Sequence, residues 1–98
     1  MDVIIRVVVR GRVQGVGFRA WTEMTAAKQG LEGWVRNRRD GAVEALFAGT
    51  ENVVLTMIEL CRAGPSGARV HTIDQFDAGS ADLALRRPGE SFSVLSTL

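Results

Sequence analysis

The residues best suited to chemistry in this chain are Arg12-Val13-Gln14-Gly15-Val16-Gly17-Phe18-Arg19. Glycines at 15 and 17 permit backbone conformations closed to other residues, so successive N–H groups can turn toward one point. A helix starting directly behind them adds partial positive charge at its N-terminus. Arg19, at the start of that helix, carries a planar fork of donors that matches phosphate oxygens. Together these describe a cradle for a small dianion. An ordinary turn accounts for the glycines but not for an arginine placed at the helix start.

The cradle needs a strand before it and a helix after it, and the patterning supplies both. Val3, Ile5, Val7 and Val9 alternate with Ile4, Arg6, Val8 and Arg10, which predicts a strand with one dry and one partly wet face. A helix is expected from about Phe18 to Gln29, with Ala20, Trp21, Met24, Ala27 and Leu31 as its apolar stripe and Gly30 as its cap. Leu31 to Arg38 reads as a second strand, with Leu31, Gly33, Val35 and Asn37 on one face. Asp40-Gly41 predicts a tight hairpin into a third strand, Ala42 to Ala48. A second helix runs from about Glu51 to Ala63, its face made of Val53, Val54, Met57, Ile58, Leu60 and Cys61, and Gly64-Pro65 ends it. A fourth strand covers about Ala68 to Phe76. Asp77 to Glu90 reads as mostly loop, and Phe92, Val94, Ser96 and Leu98 suit a last edge strand.

Strand, helix, strand, strand, helix, strand is the split βαβ arrangement: α+β, with two helices on one face of an antiparallel sheet and a short C-terminal edge strand. The right-handed crossover makes strands one and two parallel, with strand three between them. Their C-terminal ends then share one edge of the sheet. The glycine loop leaves the first and Asn37 ends the second. Parity puts Asn37 on the helix-covered face, so Arg19 and Asn37 can meet across one small pocket.

Composition narrows the remaining classes. The 98 residues, 46% hydrophobic, suit a single domain over 1–98. A net charge of +1 gives no general attraction to nucleic acid or membrane. No apolar stretch is long enough to span a bilayer, and none reads as a signal peptide. A lone cysteine, Cys61, rules out an internal disulfide and fits a reducing compartment. A cytoplasmic monomer is expected. Cys61, Trp21 and Met24 are expected in the core and His71 at the surface. Arg6, Arg10, Arg36, Arg38 and Glu44 are expected to coat the open face of the sheet with mixed charge.

Gly11 through Arg19 and Gly33-Trp34-Val35-Arg36-Asn37, followed by Asp40-Gly41 and Val43-Glu44, resemble the two signature stretches of the acylphosphatases in order and separation. The likeness is dense over about residues 5 to 50 and thins afterward. It implies a ferredoxin-like domain that hydrolyses acyl phosphates to a carboxylate and inorganic phosphate, the phosphate being both product and inhibitor. It also implies that Arg19 binds the phosphoryl group and that Asn37 holds the attacking water. The loop of Gln14, Gly15, Val16, Gly17 and Phe18 would complete the phosphate cradle.

What the sequence lacks is consistent with that chemistry. No histidine or cysteine cluster offers a metal site, and no cofactor is expected. No nucleophile–base pair can be assembled around Cys61 or a serine. Gly15-Val16-Gly17-Phe18-Arg19-Ala20 formally fits a dinucleotide fingerprint, but a hairpin follows where a second parallel unit should continue. Two alternatives share the topology. One is an RNA-recognition module, for which Trp34 is the lone outward aromatic. The other is a domain acting on carbamoyl phosphate for a larger maturation enzyme.

Overall fold

The computed structural model describes residues 1–98. The chain order is β1 (Asp2–Arg12), α1 (Phe18–Lys28), β2 (Glu32–Asn37), β3 (Val43–Thr50), α2 (Glu51–Cys61), β4 (Arg69–Asp77), α3 (Ser80–Leu83) and β5 (Phe92–Val94). The strands form one sheet in the order β4-β1-β3-β2-β5. β1 pairs antiparallel with β3 and β4, and β2 antiparallel with β3. β5 runs parallel to β2, so the edge addition makes the sheet mixed. This is the expected ferredoxin-like α+β fold, with β3 lying between the parallel β1 and β2.

The core lies between the sheet and the two long helices. Val7, Val9, Val35, Val43, Ala45 and Phe47 from the strands meet Phe18, Ala26, Val54, Met57, Ile58 and Cys61 from the helices, all buried. The period-two reading of β1, β2 and β3 therefore places the inward residues correctly. Gly33 is required by this packing. A Cβ there would come within 1.8 Å of the Leu46 carbonyl oxygen, and its φ of +149° is open only to glycine.

The helix-α1 stripe is corrected. The helix buries Phe18, Thr22 and Ala26, four residues apart, while Trp21 is half-buried and Met24 is 52% exposed. The cause is where the helix begins. Phe18 leaves the glycine loop pointing into the core, and a 3.6-residue period then selects Thr22 and Ala26. Small side chains let the helix sit close to the sheet. The Thr22 hydroxyl is satisfied locally by donating to the Phe18 carbonyl at 2.8 Å. On α2, Leu60 likewise turns outward, whereas Val54, Met57, Ile58 and Cys61 are buried as expected.

The sheet face away from the long helices is drier than expected. Trp34 and Leu46, cross-strand partners on that face, are 1% and 0% exposed. The segment expected to be loop forms the short helix α3 over β2 and β3, and the Trp34 indole N–H donates to the Asp82 carbonyl at 2.8 Å. Glu44 is also buried. Its two carboxylate oxygens accept from Arg6 Nη1 at 2.9 Å and Arg36 Nε at 2.7 Å. Arg36 in turn stacks over the Trp34 ring at 4.7 Å. Trp34 is therefore a packed residue, not an open platform for a base.

Candidate active site

The loop leaves β1 at Arg12 and runs to the start of α1. Val13 is buried and anchors it. Gly15 and Gly17 have φ of +74° and +80°, the left-handed conformation that the sequence required of them. Gly17 is the N-cap of α1 and has no side chain to satisfy the first-turn amides. No backbone N–H from Gly15 to Ala20 donates to another backbone group. The first such bond is Trp21 N–H to the Gly17 carbonyl, at 3.0 Å. A run of free donors thus coincides with the positive end of the helix.

Arg19 lies in the first turn and is half-buried, yet its guanidinium makes no hydrogen bond or ion pair within the protein. Most arginines of the sheet are engaged: Arg6, Arg10, Arg36 and Arg38 all have carboxylate partners. Asn37 ends β2 opposite Val43 and is also half-buried. Its backbone is held on both sides, by β3 and by the Leu98 N–H donating to its carbonyl at 3.1 Å. Its side-chain amide has no protein partner.

Arg19 and Asn37 line one concave space of about 350 Å³ together with Gln14, Gly15, Gly17 and Phe18. Both residues thus lie on the wall of a single pocket, at the sheet edge where parallel β1 and β2 end. Val16 is the loop residue that stays off the wall. Its side chain packs against the core. Val13 of the glycine stretch also lines the space, as do Ala20, Glu23 and Val94, which were not assigned to the site from sequence. Helical spacing could have found Glu23, four residues after Arg19 on one face. Val94 carries no local signal, because the pairing that brings β5 beside Val35 is non-local.

Other reactive groups lie elsewhere. His71 is exposed on β4. Cys61 is buried in α2, and burial pushes its thiol up to about 12. No group of three or more His, Cys, Asp or Glu residues could hold a metal ion. No helix is long and apolar enough to cross a membrane.

Fold and site together define a small ferredoxin-like domain with a loop of free backbone donors next to an unpaired arginine. Comparison with known proteins sharpens that class. A family model described as Acylphosphatase matches residues 5–86. An acylphosphatase of Bradyrhizobium diazoefficiens is 60% identical over 95 residues, covering 97% of this chain and 96% of that one. One from Rhodopseudomonas palustris is 64% identical over the same length and the same shares. Among solved structures, the acylphosphatase from Bacillus subtilis superposes with a TM-score of 0.81 at 38% identity, covering 97% of this chain and 99% of that one. The chain belongs to the acylphosphatase family.

Proposed function

We propose that the protein hydrolyses the carboxyl–phosphate bond of small acyl phosphates, with Arg19 and the loop amides holding the phosphoryl group and Asn37 orienting the water. The observation that carries this reading is the set of residues with unpaired donors that line one space: the backbone N–H groups of Gly15, Gly17, Phe18, Arg19 and Ala20, the Arg19 guanidinium and the Asn37 side chain. Family membership supplies the substrate class.

The chemistry asks little else of the protein. The leaving carboxylate has a conjugate acid with a pKa of about 4 to 5, so it departs unprotonated at neutral pH. Phosphoryl transfer through a loose transition state is catalysed mainly by alignment and charge stabilisation. The water oxygen bonds to phosphorus as the phosphorus–oxygen bond to the acyl group breaks. The bonding pair leaves on the carboxylate, and one water proton passes to a phosphate oxygen. Asn37 aligns the water without taking that proton. No step calls for a metal, so a chelator should leave the rate unchanged.

The test is benzoyl phosphate hydrolysis by the wild type and Arg19→Ala, with inorganic phosphate added. Expected are rapid wild-type turnover, competitive inhibition by phosphate, and loss of both in the variant. A wild type that turns over glucose 6-phosphate as fast as benzoyl phosphate contradicts the mechanism, since an alkoxide leaving group needs an acid.

A further inference from the structure

Gln14 was expected to serve the cradle through its backbone amide; its side chain makes a separate set of contacts. Its Nε2 donates to the Arg38 carbonyl at 2.7 Å and to the Ala42 carbonyl at 2.9 Å. Two converging carbonyls can only be met by the amide's donor end, which fixes its orientation. Those carbonyls close the β2–β3 turn. Arg38 N–H donates to the Ala42 carbonyl at 2.9 Å, Gly41 N–H to the Arg38 carbonyl at 3.2 Å, and Ala42 N–H to Asp40 Oδ1 at 3.1 Å. The turn begins at the residue after Asn37.

Nothing else polar joins the loop to this turn. β1 leaves β3 at the Val9–Val43 pair, and from Arg10 to Arg12 it pairs only with β4. No backbone hydrogen bond links residues 13–17 to residues 38–42. The cradle is therefore built on β1 and α1 and the water-holding amide on the end of β2; Gln14 ties the loop itself to the turn, and the exposed Arg10–Asp40 pair, at 3.3 Å, is a second side-chain link from β1.

The geometry points to Gln14 as a positioning residue that sets the distance between the phosphate cradle and Asn37; this rests on the reading proposed above. In-line attack requires the water and the phosphoryl group to be held in register, and a displacement of about 1 Å costs on the order of a hundredfold in rate. Gln14 acts on that register, not on the phosphate.

A double-mutant cycle on benzoyl phosphate, read beside phosphate inhibition and a thermal melt, tests this. Gln14→Met keeps the length and removes the donors. Gln14→Asn keeps the donors and falls short by one methylene. Both should lower kcat by about tenfold or more while the phosphate inhibition constant stays within about threefold. The loss caused by Asn37→Ala should shrink at least about fivefold in the Gln14→Met background, because the water is already misplaced. Weaker phosphate inhibition in step with lost activity would put the amide on the phosphate and overturn the assignment. Additive losses, or failure of both variants to fold, would reduce Gln14 to a structural tie and overturn it too. Absence of turnover in the wild type would instead bring down the proposed function itself.

Discussion

Arg19 is set apart as a half-buried arginine whose side chain has no partner within the protein. A half-buried guanidinium is ordinarily paired, as Arg36 is with Glu44. Removing a charge-assisted contact to the reacting group costs about 2–4 kcal/mol of transition-state stabilisation, roughly two to three decades of rate. Arg19→Ala should fall that far. Arg19→Lys should recover little, since a point charge cannot reproduce the fork. Asn37→Ala should depress turnover more than it weakens phosphate inhibition, and equal effects on both would place its amide on the phosphate instead. Glu23 is the one carboxyl on the wall of the cavity. If the leaving group needs no proton, Glu23→Gln should change benzoyl phosphate turnover by less than about threefold, and a larger fall would assign Glu23 a role in the chemistry.

At the scale of elements, what the sequence made legible follows from how local each cause is. The glycines at 15 and 17 have one backbone reason, and it can be read without neighbours. The inward parity of Val35 and Asn37 follows from the two-residue period of a strand. The stripe of α1 was misread because apolar type alone does not set a helix's rotation. The direction in which Phe18 leaves the loop does, and it puts Met24 outside while a threonine goes in. Met24→Lys should therefore change stability by less than about 0.5 kcal/mol in a urea melt, whereas the same change at buried Met57 should cost several times that. Helix α3 was illegible for a different reason. Its four residues carry no periodic pattern, and their place is fixed by an indole forty-eight positions earlier. Trp34→Phe removes the indole N–H, leaving the Asp82 carbonyl without that donor, and also the indole's second ring, leaving a cavity at a fully buried site. A loss of about 2–3 kcal/mol is expected.

For the molecule as a whole, two groups contribute to the pH dependence of stability with opposite signs. Asp40 is held below its ordinary carboxylate range, first by the Ala42 N–H and then by Arg10 and Arg38. Its contribution is present above the unfolded carboxyl value and is lost as pH falls through the lower folded value. It sits in the turn that carries the Gln14 contacts, so acid should loosen that turn. Cys61 has the reverse sign. Burial raises its thiol from 9.0 to about 12, so between those values the unfolded chain gives up a proton that the folded chain keeps. Stability should decline through that window, and the buried thiol should resist iodoacetamide in the native protein at neutral pH. Cys61→Ala removes the titrating group and leaves a small cavity. Its unfolding free energy should be lower than wild type at pH 7, yet fall less steeply from pH 9 to 12. Parallel alkaline limbs for the two proteins, measured by urea unfolding at constant ionic strength, would show that other groups govern the alkaline loss.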